Sequence, residues 1–270
     1  MSLTDNQVAE YEEHGVLIAE EVLTDGDIEP VVEVLTDFLS ERARVLQAEG
    51  EIEDLFEGEP FISRYSKLYK QCNDIGRGID IMQMRAKAVF EFLRNDNLLD
   101  AVESLVGPDI TCSPIQHIRA KPPTHLADGP DYHHNVPWHQ DSGYVGYDHK
   151  PYLSCWAAID EVSEENGTVY ILPFSKAGTR KRQDHIVEAG SNDKIGYFGE
   201  DPGIPVVAPA GSIAVFSSVA FHRSSPNTSK GWRRIYLTQY SAIPILTKDG
   251  SQLWGNAEPF LVDGDRVTTE

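Results

Sequence analysis

Two histidines and one aspartate have the residue types and spacing of a metal site. His139 and Asp141 are two positions apart in His139-Gln140-Asp141, and His222 lies far downstream. If the first segment is extended, side chains at i and i+2 share a face and can bind one ion together. Two histidines and one carboxylate form the facial triad of non-haem Fe(II), which leaves coordination positions open. The spacing therefore predicts a metal site made of His139, Asp141 and His222.

A cation follows the distal histidine at Arg233. The open positions of an iron triad can take a 2-oxo acid in bidentate fashion, and the far carboxylate of that acid then needs a planar, bidentate cation. Arg233 can serve, whereas Arg234 would point to the opposite face of the same strand. The pattern thus favours a second binding group beside the metal.

The elements that must position these residues change in character near residue 108. Before it, capping residues and helical apolar spacing predict helices, and these span 4–15, 24–50, 82–94 and 95–107. Segment 51–80 lacks clear periodicity and is predicted as loop with short pieces of structure. Beyond residue 108, β-prone runs alternate with turn residues. The predicted strands, with an early one at 16–19, are 110–118, 152–159, 168–172, 204–207, 212–216 and 234–241.

This order predicts one domain over residues 1–270. In it, a mostly helical part, 1–107, braces a mainly β core over 108–245. The composition agrees, since 40% of residues are hydrophobic and the chain can bury a sizeable core.

The charge balance excludes several partners. The formal net charge is −20, which opposes binding to nucleic acids and to anionic membranes. The cysteines are unclustered and odd in number, so neither a disulfide framework nor a cysteine zinc site is predicted. The start lacks the character of a signal peptide, and no run approaches the roughly 18 apolar residues of a membrane span. We therefore expect a cytoplasmic protein.

A series of short motifs runs from Lys121 to about Ser241. They are 121–123 (KPP), 138–144 (WHQDSGY), 155–162 (CWAAIDEV), 165–168 (ENGT), 172–175 (LPFS), 211–216 (GSIAVF), 222–224 (HRS) and 231–234 (GWRR). In type and order they resemble the phytanoyl-CoA dioxygenase family of Fe(II)/2-oxoglutarate-dependent oxygenases. The segment 11–17 (YEEHGVL) also looks like the helix-to-strand opening of that family.

The resemblance implies a fold, a set of cofactors and a reaction. The fold is a double-stranded β-helix, also called a jelly roll and similar to the cupins. The cofactors are Fe(II), 2-oxoglutarate as cosubstrate and O₂. The reaction hydroxylates an unactivated C–H bond of a small metabolite while 2-oxoglutarate is converted to succinate and CO₂. Related halogenases lack the carboxylate of the triad, so the presence of Asp141 favours hydroxylation.

The resemblance also implies roles for individual residues. His139, Asp141 and His222 would hold the iron, and Arg233 would bind the C5 carboxylate of 2-oxoglutarate. Ser224 matches a family position near that carboxylate, and Trp156 matches an aromatic residue close to the cosubstrate. Gln116 or His117, on the preceding strand, would reach the C1 carboxylate.

Two other readings of the triad stay open at this point. Two histidines and a carboxylate also bind catalytic zinc, although neither an H-E-x-x-H motif nor an obvious general base is present. A metal-binding β-sandwich protein without catalysis is the other alternative. For the oxygenase, the charge of −20 favours a small free metabolite with an amine or phosphonate over an acyl-CoA thioester. A monomer or a homodimer is expected.

Overall fold

A computed structural model describes residues 2–81, 83–113, 116–126, 136–145, 152–187, 194–197, 199–242 and 259–267. The helices are α1 (Asp5–His14), α2 (Asp25–Ala48), α3 (Phe61–Gln71), α4 (Lys87–Phe92), α5 (Asp96–Val106), α6 (Asp141–Val145) and α7 (Phe174–Ala177). The strands are β1 (Val16–Ala19), β2 (Ile110–Cys112), β3 (His117–Lys121), β4 (Tyr152–Ala158), β5 (Val169–Leu172), β6 (Ile186–Val187), β7 (Lys194–Ile195), β8 (Ile204–Pro205), β9 (Ile213–Ser217), β10 (Phe221–Ser224), β11 (Arg233–Ser241), β12 (Pro259–Val262) and β13 (Asp265–Arg266).

Two antiparallel sheets carry the site. The larger has the strand order β1-β9-β4-β11-β2-β12-β13, and β3 also pairs with β11. The smaller has the order β10-β5-β8. Strand β11 is central, because β4 pairs with it on one side while β3 and β2 share the other. The prediction of a mainly β protein with N-terminal helices is confirmed at this level.

The sequence of strand β4 is apolar on both faces except at Ser154. All seven of its residues are buried. Successive side chains of a strand point to opposite faces. Leu153, Cys155 and Ala157 join the core beneath the helices, whereas Trp156 and Ala158 join the second core, with residues of the smaller sheet. The strand is therefore covered on both faces, and one face looks toward the site.

Helix α2 supplies much of the helical layer. A capping box is present at Thr24 and Asp27, and the buried residues recur at the helical spacing that predicts this helix. These buried residues are Ile28, Val31, Leu35, Leu39, Ala43 and Leu46. Their burial removes apolar surface from water, which is the main source of stability for this layer.

The substitution Leu35→Ala should destabilise the protein by about 2–5 kcal/mol, because it leaves a cavity at a side chain with no exposed surface. The control is Val45→Ala on the same helix, where 45% of the residue is exposed and no cavity forms. Urea denaturation followed by circular dichroism measures both changes. Equal midpoints for the two variants would contradict this view of the core.

Three segments differ from the sequence-based prediction. Helix α3 lies within the segment predicted as loop with short pieces of structure. Its buried residues are Arg64, Tyr65, Leu68 and Tyr69, of which Leu68 alone is aliphatic. The helix predicted over 82–94 is limited to α4. The strand predicted over 110–118 is split into β2 and β3, which pair with different parts of β11.

Among the described residues, no helix is both long enough and apolar enough to cross a membrane.

Candidate metal centre

The two histidines of the predicted triad are joined through their backbones. His139 and His222 form an isolated antiparallel bridge, with N–H to O distances of 3.0 and 2.9 Å in the two directions. His222 belongs to β10 of the smaller sheet, so the bridge places the 139 segment beside that strand. Asp141 is the first residue of α6 and not part of an extended segment. The expected extended geometry is therefore wrong at Asp141, although the residues still converge.

The three side chains present one ligand atom each to a common point. One ligand atom of each of His139, Asp141 and His222 lies within 4.8 Å of the other two. The Asp141 Oδ1 atom is 3.8 Å from Nε2 of His139 and 3.6 Å from Nε2 of His222. These distances suit three ligands placed around one ion rather than three direct hydrogen bonds.

Backbone carbonyls orient both imidazole rings. Nδ1 of His139 donates to the carbonyl of Pro137 at 2.8 Å, and Nδ1 of His222 donates to that of Ala220 at 3.2 Å. A hydrogen bond at Nδ1 fixes the tautomer in which Nε2 carries the lone pair. Both rings therefore turn a metal-binding nitrogen toward Asp141.

The second oxygen of Asp141 is held by the larger sheet. Its Oδ2 accepts hydrogen bonds from Ser154 Oγ at 2.5 Å and from Gln239 Nε2 at 3.3 Å. The hydroxyl of Tyr152 in turn donates to Oε1 of Gln239. Partners of this kind orient a ligating carboxylate, and here they reserve Oδ1 for the metal. Asp141 is therefore arranged as a ligand through one oxygen.

The substitution Gln239→Leu should weaken metal binding by about 10–100-fold, the usual cost of losing a partner of a ligand. It removes the amide that donates to Asp141 and leaves the three ligands in place. Titration with Mn(II) followed by electron paramagnetic resonance measures the affinity. The control is Gln47→Leu at an exposed position on α2. An unchanged affinity in Gln239→Leu would show that Ser154 alone holds the carboxylate.

Gln140, between two of the ligands, was not singled out from the sequence. Its side chain is fully buried and donates to the carbonyl of Val219 at 2.7 Å. The side-chain oxygen of Gln140 accepts from the backbone N–H of Gln183 at 2.7 Å. The backbone N–H of Gln140 donates to Nε2 of His185 at 3.0 Å. The bond to Val219 joins the 139–141 segment to the turn that leads into β10, and the other two bonds join it to residues 183–185. Gln140 therefore fixes the position of one pair of ligands relative to the third.

The triad opens into a cavity of about 580 Å³ between the sheets and α3. Besides the ligands, Trp156, Ser224, Arg233 and Gln239 line it. Gln116 does not. Its amide donates to the carbonyl of Ser113 at 2.5 Å, and its Oε1 accepts from the backbone N–H of Gln239 at 3.3 Å. The alternative residue, His117, does line the cavity.

Arg233 lies on the cavity wall with unused hydrogen-bonding capacity. Its Nη2 donates to the carbonyl of Gly167 at 2.8 Å, whereas Nε and Nη1 are buried with no partner among the described residues. Burial lowers the pKa of Arg233 to about 10, and the charge of Asp160 opposes this shift, so the side chain is a cation at neutral pH. The ring of Trp156 lies 5.0 Å from the guanidinium. Two unpartnered donors on a buried cation fit a carboxylate.

A second buried cation, Lys121, stands beside Arg233 and was missed as a binding residue. The two are directly opposite in the pairing of β3 with β11. The ammonium of Lys121 donates to Ser224 Oγ at 3.2 Å and to the carbonyl of Ser225. Burial, together with the charge of Arg233, lowers the pKa of Lys121 to about 7. A signal existed in the sequence, since Lys121 opens the first quoted motif.

Arg234 is arranged as expected, on the opposite face. It binds Asp160 through Nε at 2.9 Å and Nη2 at 2.6 Å. For the pair His133-His134 the sequence favours a loop or substrate-mouth position over a second metal site, because adjacent residues of a strand face opposite ways, and the pair lies outside the described residues.

Comparisons with known proteins show what this chain is similar to. The sequence profile of the family described as phytanoyl-CoA dioxygenase (PhyH) matches residues 11–235. A probable alpha-ketoglutarate-dependent hypophosphite dioxygenase of Stutzerimonas stutzeri is 25% identical over 214 residues, which cover 74% of this chain and 69% of that protein. The peroxisomal phytanoyl-CoA dioxygenase of Homo sapiens is 23% identical, over 86% of this chain and 66% of that protein. The chain thus spans about two thirds of the length of these relatives.

Among solved structures, the non-heme monooxygenase ThoJ in its apo form has a TM-score of 0.61 at 20% identity. The match covers 97% of this chain and 84% of that chain. At this identity the likeness concerns the fold.

Proposed function

Because the chain belongs to the phytanoyl-CoA dioxygenase family, we propose that it is an Fe(II)- and 2-oxoglutarate-dependent oxygenase that hydroxylates a small metabolite. The observation that carries the proposal is the convergence of His139, Asp141 and His222 on one point, with one ligand atom from each. The donor set of two imidazoles and one carboxylate fits Fe(II) and leaves positions for a cosubstrate. When bound, the iron supplies the oxidation of a C–H bond, coupled to decarboxylation of 2-oxoglutarate.

The chain's own residues position the cosubstrate. Arg233 offers two unpartnered donors to the C5 carboxylate, and Lys121 and Ser224 stand beside it as further donors. Trp156 packs against the guanidinium and covers it on one side. Gln116 acts indirectly, by holding the backbone of the strand that carries Gln239. A buried ion pair of this kind fixes the orientation of the bound 2-oxoglutarate as well as its affinity.

The two sheets, in this proposal, are the two halves of a double-stranded β-helix with the triad between them. Residues 1–107 brace residues 108–245 within a single domain. The cytoplasmic location and a monomeric or homodimeric state stay predictions of the sequence.

The zinc hydrolase alternative has little support in the cavity. Among the described residues that line it, Asp141 is the single carboxylate, and its Oδ2 is occupied by Ser154 and Gln239. A hydrolase would need a separate general base near the metal-bound water.

The experiment that tests the proposal is an assay of succinate formation from 2-oxoglutarate in air. Purified protein with Fe(II) and ascorbate should release succinate slowly without added substrate, and Zn(II) in place of Fe(II) should stop the release. Succinate formed at the same rate with Zn(II), or no succinate at any Fe(II) concentration, would contradict the proposal.

The affinity for 2-oxoglutarate should fall as the pH rises above about 7, because Lys121 loses its charge in that range. Below that pH the ammonium adds to the attraction of Arg233, and above it only Arg233 remains charged. Binding measured by calorimetry between pH 6 and 9 should weaken several-fold. In Lys121→Met the affinity should be lower and nearly independent of pH. A pH dependence retained in full by Lys121→Met would assign it to another group.

A further inference from the structure

Strand β3 turns three polar side chains toward the cavity. His117, Arg119 and Lys121 all line it, since residues two apart on a strand share a face. Lys121 lies opposite Arg233, at the proposed cosubstrate end. Arg119 lies opposite Ile235, one step of roughly 7 Å along the strand from Lys121. A second cationic position therefore stands beside the cosubstrate site.

The charges of the cavity are opposite in sign to those of the whole chain. Four of the residues that line it have cationic side chains, which are Arg119, Lys121, Arg223 and Arg233, and the carboxylate of Asp80 pairs with Arg119. Asp141 is the single carboxylate among the described lining residues, and Fe(II) would more than balance it. The dianion 2-oxoglutarate would balance Arg233 and Lys121. A cavity that stays positive after Fe(II) and 2-oxoglutarate have bound attracts anions, even in a chain with a net charge of −20.

Of the two remaining cations, Arg119 is the better placed. Arg223 is packed between the rings of Trp138 and Tyr170, at 5.2 and 4.1 Å. Arg119 is half-exposed and is held by Asp80 and by His117, whose Nδ1 lies 2.9 Å from its Nη2.

Asp80 does not line the cavity, so it orients Arg119 and His117 from behind. Arg119 makes its hydrogen bonds through Nη1 and Nη2, and its Nε bonds to no described residue.

We propose that Arg119, with His117 beside it, binds an anionic group of the substrate, either a carboxylate or a phosphonate. The inference rests on the proposed function, because it requires 2-oxoglutarate to occupy the Arg233 end of the same cavity. Arg119 then holds one end of the substrate near the metal, as a planar cation that matches the geometry of both anions. Asp80 keeps the guanidinium in place between turnovers.

The test uses the protein loaded with Mn(II) and saturating 2-oxoglutarate, with three small probes. Unpaired electrons of Mn(II) speed the nuclear relaxation of nearby molecules. The probes are acetate, its neutral analogue acetamide, and methylphosphonate. Relaxation of acetate or methylphosphonate should be enhanced, with acetamide unaffected. In Arg119→Gln the affinity for the two anions should fall about tenfold or more. Arg119→Lys should restore part of that affinity. The control Arg44→Gln, on the exposed surface of α2, should bind the anions as the wild type does.

Each outcome of the relaxation experiment either supports the anion site or overturns it. An Arg119-dependent effect with acetate supports a carboxylate substrate, and one with methylphosphonate supports a phosphonate. Equal relaxation in wild type and Arg119→Gln, or equal effects of acetate and acetamide, overturns the anion site. The loading step is checked first by electron paramagnetic resonance. If the Mn(II) signal does not respond to 2-oxoglutarate, the proposed function itself fails, independently of Arg119.

Discussion

The substitution His139→Ala should reduce Fe(II)-dependent turnover of 2-oxoglutarate by at least about 100-fold, more than the usual cost of losing a partner of a ligand. It removes one of three protein ligands from the metal point. The fold should persist, because the bridge between residues 139 and 222 is made by backbone atoms that alanine retains. Succinate release measures the effect, and thermal unfolding checks the fold.

The matched control for this loss is His125→Ala. His125 is an exposed histidine in a short 3-10 turn, outside the cavity. Its removal should leave succinate release and metal affinity unchanged. If His139→Ala kept wild-type turnover with purified protein, the triad would not be the catalytic metal site.

The second large effect is expected for Arg233→Leu, which should weaken 2-oxoglutarate binding by about 100-fold or more while Fe(II) still binds. Charge-assisted hydrogen bonds are worth about 1.5–3 kcal/mol each, and the buried guanidinium offers two unpartnered donors. Calorimetric titration of the metal-loaded protein with 2-oxoglutarate gives the affinity directly.

A pair of lysine substitutions separates position from charge. Arg233→Lys keeps the charge but loses the planar fork, so its affinity for 2-oxoglutarate should lie between those of wild type and Arg233→Leu. Arg234→Lys keeps a cation beside Asp160, on the other face of β11, and should bind 2-oxoglutarate normally. If Arg234→Lys lost affinity and Arg233→Leu did not, the assignment would be reversed.

Much of this site follows from local sequence rules. The chelating triplet, the distal histidine and the paired arginines are short patterns whose meaning depends on ligand chemistry and on the alternation of side chains along a strand. That alternation correctly separated Arg233, in the cavity, from Arg234, which binds Asp160. Capping residues similarly predicted α1 and α5, and apolar residues at helical spacing predicted α2.

What the sequence did not reveal depends on contacts between distant segments. The ring of Tyr65 on α3 stacks on Trp232 at 3.6 Å, a contact between distant segments that makes this helix part of the core. Gln140 and Gln239 act through hydrogen bonds to segments far away along the chain. Asp141 begins a helix and still reaches the metal point, which no local spacing rule anticipates.

The most direct test of the metal and cosubstrate site is an anaerobic titration of metal-free protein with Fe(II) and then 2-oxoglutarate. A 2-oxo acid chelated to ferrous iron gives a weak charge-transfer band in the visible region, and no substrate is needed. We predict that the band develops on adding 2-oxoglutarate, is absent in His139→Ala and needs much more 2-oxoglutarate in Arg233→Leu. Iron that binds to His139, Asp141 and His222 without producing the band would contradict the account.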